Sequence, residues 1–279
     1  MSGPGARDIL RPSGGGFLAE VLGNERIAAD VYRILLEIKE NNGINYPEPA
    51  PGQFVNVYLN DASRLLPRPI SVCDRSEGRP ALVFVFGAVG AGTRALAACA
   101  PGTALRVGPP AGRGFDLGAL RGLSRATLVG GGLGTAPLLF LARALRRAGG
   151  VRIRAVLGYE SEAFLAREFE AHCDEVHIAT DDGSAGFHGT AVGLLKELPL
   201  AGGEIFFACG PAPMLRTLSR FAGGQGIPVQ VSLEERMGCG YGACLGCVCK
   251  LAGEDAAFVN RRVCRDGPVF DGSEVIWDV

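Results

Sequence analysis

The sequence predicts a multidomain β plus α/β chain: a small antiparallel β-barrel, then a parallel sheet flanked by helices, then a short C-terminal module. Three observations predict it. Apolar residues alternate with period two in the first part of the chain. Short apolar runs then alternate with helical patterns. Finally, five of the nine cysteines crowd into residues 227–279.

The barrel is expected over residues 17–116. In 32–38 the set Tyr32, Ile34, Leu36 and Ile38 falls on one face of a strand. Residues 53–59, 81–86 and 104–107 are further strand candidates, punctuated by Pro51-Gly52, Gly78, Pro101-Gly102 and Pro109-Pro110. Many short strands at turn-bounded spacing suit an antiparallel barrel. One helix is expected around 93–99.

The rhythm changes over 121–226. Apolar runs at 126–129, 153–157, 176–179 and 205–208 alternate with helical patterns at 137–148, 163–172, 191–197 and 213–222. That alternation predicts a parallel sheet covered by helices. Residues 227–279 are too few and too glycine-rich for a large core, so a metal site is expected to supply the missing stability.

Composition narrows the function. The 279 residues carry 28 basic and 29 acidic side chains, a net charge of -1. That balance offers neither a nucleic-acid footprint nor a polybasic membrane patch. No apolar run reaches the roughly 18 residues of a membrane span. Residues 1–16 lack the apolar stretch of a signal peptide and read as a loose tail. A cytoplasmic protein is expected, and there an odd, clustered set of cysteines points to metal binding rather than disulfides.

The cysteine segment is the most specific signal. Cys239, Cys244 and Cys247 form C-x4-C-x2-C, and Cys264 follows. This is the plant-type spacing for a [2Fe–2S] cluster. Gly238, Gly240, Gly242 and Gly246 let the backbone wrap the cluster and turn N–H groups to its sulfurs. A four-cysteine zinc ribbon prefers C-x2-C pairs, which the first gap does not match. Cys249 is a spare thiol, expected to be a packed neighbour.

Two strand-to-helix turns come next. Gly130, Gly131, Gly132, Gly134 and Thr135 precede Pro137 at a helix start, where glycines admit a phosphate and the first turn favours anions. The stretch departs from G-x-G-x-x-G, and a plain tight turn is the competing reading. Cys209, Gly210 and Pro211, with Met214 in the helix beyond, form a second such turn. Ligands of open α/β sheets sit at the carboxyl ends of strands, so both turns are expected at one crevice. Glu160, after the second apolar run, suits a ribose 2′-hydroxyl and opposes a 2′-phosphate, which favours NAD over NADP. Asp182 lies in a further loop at that edge. A solvated surface carboxylate competes with the reading of Glu160, and a simple turn with that of the Asp182 loop.

In the barrel, Arg68-Pro69-Ile70-Ser71 and the glycine loop ending in Gly92-Thr93 offer a second phosphate site, with Arg68 as its cation, while a lone R-x-x-S common by chance is the competing reading. His172, His177 and His188 show no ligand or triad spacing, and no G-x-S-x-G occurs, so hydrolytic chemistry is unsupported.

Together these motifs resemble the ferredoxin–NADP reductase superfamily. With residues 232–240, 246–250 and 263–270 added, nearly the whole chain after the tail resembles the electron-transfer subunits of dihydroorotate dehydrogenase B. The resemblance implies an FAD-binding barrel, an NAD-binding domain (121–226) and a [2Fe–2S] domain (227–279). It implies FAD held by Arg68 to Ser71, by Val85, Phe86 and Gly87 across the flavin, and by Gly92 and Thr93 at the pyrophosphate. It implies NAD at the Gly130 turn and at Cys209-Gly210-Pro211. Ser71 is assigned the catalytic contact to the flavin ring. It further implies an FMN-bearing catalytic subunit as partner, in a heterotetramer of two plus two. Electrons from dihydroorotate would reach NAD+ through FMN, cluster and FAD, in pyrimidine biosynthesis. The rival is the small subunit of an NADPH–ferredoxin oxidoreductase or sulfide dehydrogenase complex. A phenol-hydroxylase-type reductase fits less well, because only sixteen residues separate Cys247 from Cys264.

Overall fold

The computed structural model describes residues 16–39, 45–61, 63–76, 78–253 and 257–277. Apart from Gly16, the expected tail lies outside them. The chain divides into two compact units. The first holds the described residues up to Pro49 together with Phe54–Ala111; the second holds Ala50–Gln53 and everything from Gly112 on.

The first unit is a closed barrel. Its strands are β1 (Phe17–Ala28), β2 (Val31–Ile38), β3 (Phe54–Tyr58), β4 (Arg68–Arg75), β5 (Ala81–Gly87) and β6 (Ala104–Ala111), with helix α1 (Ala91–Ala97) between the last two. Their order around the barrel is β1-β2-β5-β4-β3-β6, every pair antiparallel. Closure leaves no unpaired edge to aggregate. The expected face of β2 is the buried one: Ile34, Leu36 and Ile38 lie in the core, and Tyr32 stacks on Phe86 with ring centroids 6.1 Å apart. Helix α1 covers 91–97 rather than 93–99. Asn24 of β1 donates to the carbonyls of Leu96, Ala97 and Cys99 and so ends it.

The second unit is built on a seven-stranded sheet. Its elements run β7 (Arg125–Gly131), α2 (Thr135–Ala148), β8 (Arg152–Tyr159), α3 (Ala166–Glu170), β9 (Glu175–Thr180), β10 (Phe187–His188), α4 (Ala191–Glu197), β11 (Glu204–Cys209), α5 (Ala212–Gln225) and β12 (Val229–Ser232). After these come β13 (Val248–Leu251), β14 (Val259–Arg262), α6 (Val263–Asp266) and β15 (Val269–Asp271). The sheet order is β10-β9-β8-β7-β11-β12-β15, parallel except for β15. The central strands are buried almost end to end, as a sheet covered on both faces requires. The expected helix over 163–172 shortens to α3, because Leu165 takes a left-handed conformation (φ 63°) that no helix interior accepts.

The segment boundaries also move. Residues 112–116, read with the barrel, lie in the second unit: Phe115 meets Phe207 edge-on at 5.6 Å, and the Asp116 N–H donates to Gln230. The strands described within residues 227–279 are divided between two sheets. Strands β12 and β15 are part of the large sheet, and only the β13–β14 hairpin stands apart from it. Among the described residues, no helix is long and apolar enough to cross a membrane.

Candidate functional site

Strand order reverses beside β7: β8, β9 and β10 lie on one side of it, β11 and β12 on the other. Such a switch point opens a crevice at the carboxyl ends of the strands. Both expected turns are there. Gly130 of β7 pairs directly with Cys209 of β11. The turns pack so closely that neither Gly131 nor Gly134 has room for a Cβ. A Cβ on Gly131 would lie 2.7 Å from Met214 Sδ, and one on Gly134 would fall against the Cys209 carbonyl. Gly132 differs, with a φ of 53° and open space around it. The Thr135 hydroxyl donates to its carbonyl at 2.8 Å, which fixes the turn entering α2.

Cys209 is fully enclosed. Burial first, and then the charge of Glu234, push its thiol up to about 12. It is therefore a neutral thiol at the floor of the crevice. Glu160 and Asp182 lie at the same sheet edge, one strand and two strands away from β7. The Asp182 N–H donates to the Glu160 carbonyl at 3.2 Å, and Ser184 Oγ to the Ser161 carbonyl at 2.9 Å, so the two loops are tied together. Asp182 is held below the usual carboxylate range by hydrogen bonds from Ser184.

In the barrel, two distant segments meet. The Arg68 guanidinium lies directly over Gly92, in the space a Cβ there would occupy. Its Nη1 donates to the Leu66 carbonyl, which anchors it. Thr93 Oγ1 accepts from the Gly90 N–H at 3.1 Å and ties the glycine loop to α1. Arg68, Pro69, Ile70 and Ser71 run along β4, Ser71 half-buried and paired with Phe54. Val85, Phe86 and Gly87 close the neighbouring β5 and are buried.

The four cysteines of the plant-type pattern are arranged as two pairs. The Cys244 N–H donates to Cys239 Sγ at 3.5 Å, and the Cys264 N–H donates to Cys247 Sγ at 3.5 Å. Burial opposes ionisation of Cys239, but amide donors from Tyr241, Cys244 and Ala243 outweigh it and bring the thiol down to about 6. Inward N–H groups and a thiolate are what a cluster sulfur environment needs. Among the described residues, no three His, Cys, Asp or Glu side chains gather as around one ion. A binuclear cluster needs two thiols at each iron.

Cys249 faces elsewhere. It pairs with Arg261 across the β13–β14 hairpin, lines a cleft of about 240 Å³ beside α5, and burial pushes its thiol up to about 11. One feature of the segment was not read from the sequence: Arg262 and Asp266, four apart around Cys264, form a forked ion pair. Their i, i+4 spacing beside a candidate ligand was the available signal.

Comparison with known proteins agrees with this geometry. Residues 234–276 match the iron–sulfur cluster binding domain of dihydroorotate dehydrogenase B. The chain is 39% identical over 259 residues to the dihydroorotate dehydrogenase B (NAD+) electron transfer subunit of Caldanaerobacter subterraneus subsp. tengcongensis, covering 93% of this chain and 98% of that one. It is 40% identical over 264 residues to the same subunit of Bacillus caldolyticus, covering 92% and 100%. Among solved structures, an NADH-dependent reduced ferredoxin–NADP oxidoreductase is 29% identical with a TM-score of 0.79, covering 95% of this chain and 91% of that one. Phthalate dioxygenase reductase, at 19% identity and a TM-score of 0.61 over 90% and 94% of the two chains, shares the fold. At this identity and coverage, the chain belongs to the family of dihydroorotate dehydrogenase B electron-transfer subunits.

Proposed function

We propose that this chain is the electron-transfer subunit of an NAD-dependent dihydroorotate dehydrogenase of pyrimidine biosynthesis. Its partner is a catalytic subunit carrying FMN, in a heterotetramer of two plus two, and its place is the cytoplasm. The observation that carries the reading is the pairing of four thiols, Cys239 with Cys244 and Cys247 with Cys264, inside the segment matched to the family's cluster domain. FAD, NAD and a [2Fe–2S] cluster are the cofactors, and together they supply exchange between hydride and single-electron chemistry.

The chain's own residues divide the work. Cys239 with Cys244, and Cys247 with Cys264, are the thiol pairs that would hold the cluster. Arg68 neutralises the FAD pyrophosphate from its position over Gly92, and Thr93 holds the loop that receives it. The Ser71 hydroxyl orients the flavin ring, which Val85, Phe86 and Gly87 back. Gly130, Gly131, Gly132, Gly134 and Thr135 shape one wall of the NAD crevice. Cys209, Gly210, Pro211 and Met214 shape the other, with Cys209 supplying a neutral floor. Glu160 accepts from the ribose hydroxyls and Asp182 braces its loop. No residue is offered as a base for dihydroorotate, whose oxidation belongs to the partner.

The test is direct. The purified chain should contain FAD, two irons and two sulfides, and should oxidise NADH with artificial acceptors. It should oxidise dihydroorotate only after an FMN-bearing partner is added. Ser71→Ala should slow NADH–dye turnover and leave the cluster spectrum intact. The match to the reduced ferredoxin–NADP oxidoreductase favours a second reading, the small subunit of an NADPH–ferredoxin complex. A clear preference for NADPH, with no dihydroorotate activity beside its co-purifying partner, would establish that one instead.

A further inference from the structure

The two arms of the cysteine segment are joined by one side chain. Arg262 ends β14 and starts the α6 turn that carries Cys264. Its Nε donates to Asp266 Oδ2 at 3.1 Å and its Nη2 to Asp266 Oδ1 at 3.3 Å. The Arg262 backbone N–H donates to the same carboxylate at 2.8 Å, so Asp266 is held from three directions. A fork gripped on both prongs has one orientation. In that orientation Nη1 donates to the Gly242 carbonyl at 3.1 Å. Gly242 lies between Cys239 and Cys244, in the other arm. It has a φ of 90°, and a Cβ there would lie 2.8 Å from Arg265 Cδ, so the loop is pressed against the α6 turn. Arg262 is 27% and Asp266 24% exposed, enough burial for the pair to act with reduced solvent screening.

The charge has a second consequence. Arg262 caps the turn that carries Cys264 and reaches the carbonyl of Gly242 between Cys239 and Cys244, so its positive charge lies beside both arms of the cysteine segment. One-electron reduction adds one negative charge to a cluster there. A fixed cation favours that charge, and a fixed carboxylate beside it opposes it.

We propose that Arg262, oriented by Asp266, is a positioning residue that locks the Cys239–Cys244 loop to the turn bearing Cys264 and raises the cluster's reduction potential. This rests on the cluster reading above. The experiment compares the FAD- and iron-loaded wild-type chain with Arg262→Gln, Arg262→Lys and Asp266→Asn, by iron and sulfide content and by redox titration of the cluster signal. Arg262→Gln should lower the equilibrium constant for cluster reduction about tenfold, which is about 59 mV for a one-electron couple. Arg262→Lys should recover most of that loss. Asp266→Asn should move the potential the opposite way. Wild-type potentials in both Arg262→Gln and Asp266→Asn, or shifts of the same sign, overturn the proposal. Should Arg262→Gln fail to assemble the cluster, the upward shift in Asp266→Asn and a near-wild-type potential in Arg262→Lys decide it. Wild-type protein without two irons and two sulfides would be a failure of the cluster reading itself, seen before any variant is compared.

Discussion

Gly134→Ala isolates what the glycines of the nucleotide crevice do. Gly134 has φ -64° and ψ -13°, a conformation alanine adopts freely. By backbone entropy alone the substitution would stabilise the fold by about 0.4–1 kcal/mol. The neighbours decide otherwise. The new Cβ would fall against the Cys209 carbonyl and lie 2.6 Å from the Gly210 nitrogen, where atoms need about 3.5 Å. These are backbone atoms, so the second turn must back away by about 1 Å. Overpacking of this kind costs about 1–3 kcal/mol, which outweighs the entropic gain and leaves a net loss of up to about 2.6 kcal/mol. Because the displaced turn is one wall of the crevice, the KM for NADH should rise, by about tenfold for each 1.4 kcal/mol of binding lost. Gly223→Ala in α5 is the control, since nothing lies within 4 Å of its Cβ position. It should stabilise by about 0.5–1 kcal/mol and leave the KM alone. The assay is thermal unfolding of the FAD-loaded protein alongside NADH–dye kinetics. A Gly134→Ala protein as stable as Gly223→Ala, with a wild-type KM, would refute the reasoning.

Gly92→Ala should evict Arg68 from the space it fills over the glycine loop. The loss of a charge-assisted contact, about 1.5–3 kcal/mol, should appear as weaker FAD retention in equilibrium dialysis. Arg154→Met should destabilise the second unit by about 3–5 kcal/mol in chemical denaturation. Arg154 is 2% exposed, and its loss leaves the fully buried Glu204 without that cation, beside the Thr127 hydroxyl and the Ala201 N–H. Asp174 is held below its ordinary pKa of 3.8, first by the Ile153 N–H and also by Arg146. A carboxylate with a depressed folded-state pKa stabilises above the unfolded value and loses that contribution as pH falls through the folded one. The stability gap between wild type and Asp174→Asn should therefore be full near neutrality and shrink below about pH 3.8, read from melting points across pH.

Much of the fold was legible because burial imposes period. Strand β2 showed its core face, and the runs at 126–129, 153–157, 176–179 and 205–208 all lie within strands of the parallel sheet. Strands β10, β13, β14 and β15 were not legible. They have two to four residues, too few for any period, and exist because a neighbouring strand pairs with them. Strand β1 was missed for another reason. Its second half, Gly23-Asn24-Glu25-Arg26, is polar and carries register shifts, yet it pairs with β2 through Ala28. The shift of β15 into the large sheet follows the same logic, since only the structure shows that Val269 pairs with Ser232.

The candidate site was legible where spacing alone carries chemistry and opaque where chemistry depends on who meets whom. C-x4-C-x2-C could be read directly, because the ligand pair and the turn that presents it are local. The glycines of the crevice could be located but not understood. The sequence reads Gly130, Gly131, Gly132 and Gly134 alike, as residues that admit a phosphate. The structure separates them. Gly134 is spent on letting two turns touch backbone to backbone, Gly131 makes room for the Pro211 and Met214 side chains, and of the four only Gly132 has open space beside it. Gly132→Ala should therefore cost about 1–2 kcal/mol of left-handed strain without moving the second turn. The same mutation at Gly134 moves the turn without strain at its own φ. If both substitutions raise the KM for NADH equally, the crevice is shaped by the turn's own backbone. If Gly134 dominates, the fit between the turns shapes it, and the close approach of β7 to β11 is the feature that makes the site.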